Sequence, residues 1–221
     1  MKKTIAKNFL ENVMKELKYE IKDFFKQTKG DDLPTIYGEK QFHSVLFPAL
    51  YHCSDIIMLE QPTQRKQREN KNSHGWIDYW VYLKKENIDF IIEVKYALHS
   101  VNSESVPKWL QGRWENSIKQ IEDLPRKDTR EFSLSNKPPV KIALLFLQTF
   151  ENNVKNDFEK LENEYIKGHF NEISSNLNPQ PNFNSVWLYP QEMLIDFDYK
   201  TKTGKKWERY YSLELFAYIS K

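Results

Sequence analysis

Two strand-like segments separated by a short polar stretch constrain this chain more than any other feature. They run from 75 to 83 and from 89 to 97, and most of their residues are aromatic or β-branched. Such residues favour extended strands, and a short polar link between two strands predicts an antiparallel hairpin. Three charged residues interrupt the apolar runs: Asp78 in the first, and Glu93 and Lys95 in the second.

Strand geometry predicts that these three charges form one site. Side chains alternate between the faces of a strand, so Glu93 and Lys95 point the same way. Pairing around the polar link sets Asp78 opposite either Glu93 or Val94, and the first register puts both carboxylates on one face. Adjacent carboxylates repel and are costly to bury unless a cation compensates. Lys95 could supply part of that compensation, and a divalent metal ion would supply more.

A charge inside a strand is also typical of the solvated face of an antiparallel sheet. Against that interpretation, Trp76, Trp80 and Ile91 share the face that carries the charges, and the opposite face is apolar as well. A strand that is apolar on both faces is expected to be covered on both. The acids and the lysine therefore favour a functional role.

The placement of these residues resembles a known motif. Asp78 is followed fifteen positions later (93 − 78 = 15) by Glu93-Val94-Lys95, similar to the motif of the PD-(D/E)XK nuclease superfamily, also called restriction-endonuclease-like. The resemblance covers about 39–147, and Ile77 stands where a proline often precedes the aspartate. It implies an α/β fold with a mixed β-sheet core flanked by helices on both faces. It also implies a Mg²⁺-dependent nuclease that hydrolyses DNA phosphodiester bonds, with Mn²⁺ as a substitute.

The resemblance assigns roles to the motif residues. Asp78 and Glu93 would hold the metal ion, and the carbonyl of Val94 would be a further ligand. Hard oxygen ligands suit Mg²⁺, which usually keeps several waters and takes one or two protein carboxylates. Lys95 would orient or help to deprotonate the attacking water and stabilise the charge that grows on the phosphate oxygens.

Two auxiliary residues follow from the same resemblance. A glutamate on the helix before the hairpin often adds a carboxylate to the metal site, and Glu39 is the candidate. Its alternative is an ordinary first-turn glutamate favoured by the helix dipole. In part of the superfamily a glutamine on the following helix approaches the metal, and Gln120 is the candidate, with a surface glutamine as its alternative.

The charge balance indicates that any nucleic-acid surface must be local. The chain has 33 basic and 31 acidic residues and a formal net charge of +2. One basic patch lies in a predicted loop at 61–74, and another lies at the tip of a hairpin that ends in Trp207. Basic side chains suit phosphate contacts; solvated loops and protected hairpin edges are the alternatives. The candidate residues are Arg65, Lys66, Arg68, Lys71, Lys205 and Lys206.

Length and composition predict one nuclease-like domain over 1–221. We expect an N-terminal amphipathic helix within 1–30, a core at about 38–190 and a C-terminal β-hairpin at 194–217. Helical spacing of apolar residues also predicts a helix over 150–165. No segment is apolar enough to span a membrane, and a single cysteine, Cys53, fits a reducing compartment, so we expect a cytoplasmic protein.

An alternative function from another class stays open at this point. The chain could be a catalytically inactive nuclease-like module that binds nucleic acid or a protein partner, with the acids and the lysine forming a salt bridge in the sheet. The sequence does not decide between DNA and RNA, or between a monomer and a homodimer.

Overall fold

A computed structural model describes residues 1–65, 73–125, 133–152, 163–201 and 204–220. These residues include four α-helices and seven strands. The helices are α1 (Lys2–Gln27), α2 (Glu39–His52), α3 (Lys108–Glu122) and α4 (Asn163–Asn176). The strands are β1 (Ile56–Arg65), β2 (Ser73–Leu83), β3 (Ile88–Ser100), β4 (Val140–Asn152), β5 (Phe183–Leu188), β6 (Asp196–Thr201) and β7 (Gly204–Ile219).

The seven strands form one open mixed sheet in the order β1-β2-β3-β4-β7-β5, with β6 paired to β7. The hairpin of β2 and β3 is antiparallel, whereas β3 and β4 run parallel and are connected through α3. Parallel neighbours need such a crossover connection, which a helix usually supplies. The chain is therefore an α/β protein with helices packed on the sheet, as the sequence predicted.

Alternate residues of β3 contact different helices. Phe90 and Ile92 belong to a core that includes the apolar side of α1 and α2, whereas Ile91 packs with residues of α3. This follows from the two-residue period of a strand. Glu93 and Lys95 have the same parity as Ile91, so they point toward the layer that contains α3.

Two predictions about element bounds are wrong. Residues 150–152, predicted as the start of a helix, continue β4, because they pair with β7. The next described helix is Asn163–Asn176, and 153–162 lie outside the described residues. The segment 61–74 is not wholly a loop either, since 61–65 extend β1 and 73–74 begin β2. In both places pairing with a neighbouring strand decides the conformation.

The C-terminal hairpin is formed by β6 and β7, which pair from Asp196↔Arg209 to Thr201↔Gly204. Among the described residues, no helix combines the length and the apolar character needed to cross a lipid bilayer.

Candidate functional site

The site lies where β2 and β3 stop pairing. Their last pair is Tyr79↔Ile92, and β3 then continues to Ser100 without β2 at its side. The residue numbers of each pair sum to 171, which is the first of the two predicted registers. One step further along this register, Asp78 is level with Glu93. The strands therefore separate at the residues that the sequence singled out.

Side chains take over the backbone donors that pairing would otherwise use. The carboxylate of Asp78 accepts a hydrogen bond from the Val94 N–H at 2.7 Å (Oδ2). The carboxylate of Glu39 accepts one from the Tyr96 N–H at 3.1 Å (Oε2). Buried N–H groups need partners, so these bonds fix both acids against the edge of β3.

Glu93 and Lys95 form an ion pair on one face of β3. The Lys95 Nζ donates to Glu93 Oε1 at 2.9 Å, and the two side chains are 20% and 4% exposed. The pair was expected from their spacing. Because Glu93 is almost fully buried, its charge would be costly without a partner of opposite sign. Lys95 supplies that partner while keeping part of its side chain open to solvent.

Burial is the main influence on the pKa of Asp78, and it raises that pKa above its ordinary value. The Val94 hydrogen bond and the nearby Lys95 and His43 oppose the rise, whereas Glu39 adds to it. An ionised Asp78 is therefore only partly compensated by this chain alone. An added cation would stabilise the ionised form further.

The structure brings in Arg113 and His43, which the sequence did not assign to the site. The Arg113 Nη1 donates to the carbonyl oxygen of Tyr96 at 3.3 Å. His43 lies one helical turn after Glu39 and shares a hydrogen bond with the hydroxyl of Tyr79. Its four-residue spacing from Glu39 was the only sequence signal. Nothing in the sequence distinguished Arg113 from a surface arginine of α3.

The donor set limits what metal could bind. Within the described part of the chain, no group of three or more histidine, cysteine, aspartate or glutamate side chains is arranged to hold a metal ion. A site made wholly of protein ligands, as in structural zinc sites, is therefore not offered by these residues. Two carboxylates do fit Mg²⁺, whose remaining positions are usually filled by water and substrate.

The other predicted residues are less well placed or not described. Gln120 lies on α3, and its buried Oε1 has no hydrogen-bond partner among the described residues. The role of the Val94 carbonyl as a ligand stays a prediction. Arg65 is the last residue of β1, and Lys205 and Lys206 are the second and third residues of β7; only the backbone of these three residues is described. Lys66, Arg68 and Lys71 lie outside the described residues.

Comparisons of this chain with models of protein families, with curated proteins and with solved structures find no match.

Proposed function

We propose that this protein is a Mg²⁺-dependent nuclease that hydrolyses phosphodiester bonds in DNA and has a restriction-endonuclease-like fold of the PD-(D/E)XK type. One observation carries the proposal: where β2 and β3 separate, Asp78 accepts a hydrogen bond from Val94 N–H, between Glu93 and Lys95 in the chain, and Lys95 is bonded to Glu93. The mixed sheet with helices packed on it is consistent with the fold that the motif implies.

Asp78 and Glu93 would hold the metal ion, with the Val94 carbonyl as a proposed third ligand and Glu39 as a proposed auxiliary carboxylate. When bound, Mg²⁺ would lower the pKa of a coordinated water and offset the charge of the phosphate. In the hydrolysis a water oxygen bonds to phosphorus and gives up one proton, the bond to the leaving oxygen breaks, and the leaving oxygen takes up one proton.

Lys95 contributes in two ways. Its ammonium group can orient the attacking water by a hydrogen bond, and it can stabilise the charge that develops on the phosphate oxygens. The bond to Glu93 restricts where the ammonium group lies. Its 20% exposure leaves it accessible to a substrate beside the stretch of β3 that no longer pairs with β2.

The proposal is tested with Asp78→Asn, Glu93→Gln and Lys95→Ala, each assayed on plasmid and linear DNA with Mg²⁺, Mn²⁺, Ca²⁺ or EDTA. We expect each variant to lose cleavage by at least about a hundredfold while keeping its fold, since each removes a group that acts on the reacting atoms. Glu86→Gln and Lys85→Ala in the exposed turn of the same hairpin are matched controls and should cleave normally. Full cleavage by all three site variants would refute the assignment.

The same ion pair also favours a second candidate, the inactive nuclease-like module. In that case Lys95 only neutralises a buried Glu93, and no metal ion is needed. A titration with Mg²⁺ or Mn²⁺ in the presence of DNA separates the two functions. Binding that is lost in Asp78→Asn supports the enzyme, and no binding at millimolar metal supports the module.

A further inference from the structure

A half-exposed tryptophan and an arginine on α3 lie directly beyond the site. Trp109 and Arg113 are four residues apart and therefore share one side of the helix. Arg113 bonds the carbonyl of Tyr96, and the Trp109 ring lies 6.0 Å from the ring of His99, measured between centroids. The two side chains thus follow β3 over the residues immediately after Lys95.

Trp109 lies next to one of two buried histidines that contact each other. His99 is 1% exposed, and its ring stacks on that of His169 from α4, at a centroid distance of 5.1 Å and an angle of 22°. Burial lowers the pKa of His99 to about 4 and also lowers that of His169, so both rings are neutral at pH 7. No nitrogen of either ring has a hydrogen-bond partner among the described residues. The pair therefore acts as an aromatic support for the indole.

Trp109 itself remains 47% exposed. A second exposed indole is close to Asp78 in the chain: Trp76 is 56% exposed and precedes Asp78 by two residues, so it is on the same face of β2. Exposed tryptophans are stacking surfaces for bases, and every base has a face that can stack. Lys95 of β3 and Arg113 of α3 supply positive charge for phosphates.

We propose that Arg113 and Trp109 hold the nucleic-acid strand next to the bond that is cut, Arg113 by a phosphate and Trp109 by stacking on an unpaired base. The substrate would then be nucleic acid with an unpaired segment at the site, such as a single strand, a flap or a frayed end. A base inside a continuous duplex has both faces covered by its neighbours and must leave the stack before an indole can take it. This inference deepens the proposed function and rests on it.

Binding can be measured without cleavage. The Asp78→Asn protein, in EDTA, serves as the background for anisotropy titrations with a labelled single-stranded oligodeoxynucleotide and with the blunt duplex of the same sequence. We expect Trp109→Ala to weaken single-strand binding by about 5- to 150-fold, the range that loss of one stacked base gives. Duplex binding should stay within about twofold.

Conservative and control variants distinguish stacking from unfolding. Trp109→Phe keeps an aromatic face and should retain most single-strand affinity. Arg113→Gln should weaken single-strand binding and reduce its salt dependence, since one phosphate contact is lost. Tyr19→Ala removes a 64% exposed aromatic residue of α1 and should change nothing. Thermal melts of each variant show whether it is folded.

The outcomes of the two proposals differ. Equal weakening of single-strand and duplex binding in Trp109→Ala, no weakening at all, or no affinity of the background protein for either probe overturns the inference. Single-strand affinity that depends on Trp109, in a protein that never cleaves, supports the inference while the nuclease proposal fails. Cleavage whose preference for unpaired DNA is unchanged in Trp109→Ala overturns the inference and leaves the nuclease proposal standing.

Discussion

Asp78 combines burial with an incomplete set of partners, which makes it costly to the fold when ionised. Its pKa is raised above the ordinary value of 3.8, chiefly by burial. The folded state therefore binds a proton more readily than the unfolded state between the two pKa values. Stability falls as pH rises through that window, and the loss persists above it.

We accordingly expect Asp78→Asn to raise the melting temperature at pH 7, because the amide is neutral and its oxygen can still accept from the Val94 N–H. The gain should shrink as pH falls from 7 toward the ordinary pKa of 3.8, because the wild-type carboxyl group regains its proton as pH falls through its raised pKa. Melting curves of both proteins across this range are the measurement. A variant that is less stable than the wild type at pH 7 would contradict this account.

Glu214 of β7 is a buried acid away from the site. Its Oε1 accepts hydrogen bonds from Thr149 at 2.8 Å and from Ser212 at 3.2 Å. Burial nevertheless raises its pKa from 4.5 to about 7, against these hydrogen bonds. The pKa of Glu214 is higher in the folded state than in the unfolded state. Its contribution to the free energy of unfolding is therefore greatest below pH 4.5 and is lost as pH rises to about 7.

The loss amounts to about 3 kcal/mol, taking about 1.4 kcal/mol per pH unit of pKa shift. Glu214→Gln carries no titrating group and should lack this part of the pH dependence. Urea titrations at pH 5 and pH 8 test the difference, and parallel profiles for the two proteins would show that Glu214 does not titrate in this window.

Two acidic residues in the same strand can have different roles, which limits how well a site can be predicted from sequence. Asp89 and Glu93 both interrupt the apolar run of β3, yet Asp89 is fully buried and accepts hydrogen bonds from Ser133, Leu134 and Ser135. It anchors the segment before β4. Glu93 was identified because of its spacing to Asp78 and Lys95, and Arg113 was missed because only the tertiary fold brings it to β3.

At the scale of elements, the entry into α2 controls where Glu39 lies. Gly38 precedes the helix with a backbone φ of +113°, which residues with a side chain rarely adopt. Glu39 follows as the first helical residue. The hydrogen bond from Tyr96 to Glu39 then connects α2 to the edge of β3. The glycine thus helps to position the Glu39 carboxylate, whose role the motif alone left undecided.

Alanine at two glycines should have opposite effects on stability. Gly38→Ala is expected to lower the free energy of unfolding by about 1–3 kcal/mol through backbone strain, although a Cβ there meets nothing within 4 Å. Gly112 lies in the middle of α3, and a Cβ there also meets nothing within 4 Å. Gly112→Ala should therefore raise the free energy of unfolding by about 0.5–1 kcal/mol. Denaturant titrations of both variants check the signs, and destabilisation of equal size in both would exclude strain at Gly38 as the cause.

The type of an element was predicted well where its residue pattern was strong. The bounds of an element were predicted poorly where pairing with neighbouring strands determines them. The aromatic and β-branched runs of β2 and β3 identified the hairpin and its register. The helical spacing of Phe150 did not reveal that β4 pairs with β3 on one side and β7 on the other through this residue. A single-chain pattern contains no information about such neighbours.

Taken as a whole, the sheet ends in a strand with apolar residues at its surface. Among the described strands β1 pairs only with β2, and its residues Ile56, Met58 and Leu59 are 40–45% exposed. Exposed apolar edge strands favour association with other chains, and a charge on the edge opposes it.

We therefore expect Met58→Lys to reduce light scattering of concentrated, warmed protein while leaving the melting temperature within about 2 °C, as for most surface substitutions. Lys84→Glu in the hairpin turn is a charge-changing control outside this edge. Unchanged scattering in Met58→Lys would show that aggregation starts elsewhere.

The separation of β2 from β3 has a consequence for how such a protein can change. The peptide groups that anchor Asp78 and Glu39 are the ones a longer hairpin would need for its own ladder, so regular pairing and this cluster of charges are mutually exclusive. Extending the ladder by two pairs, to Ile77↔Val94, would release Asp78, and extending it by four, to Gly75↔Tyr96, would release Glu39 as well, without altering either acid. Divergence or redesign can therefore switch the cluster off through backbone register alone, with every charged residue still present in the sequence.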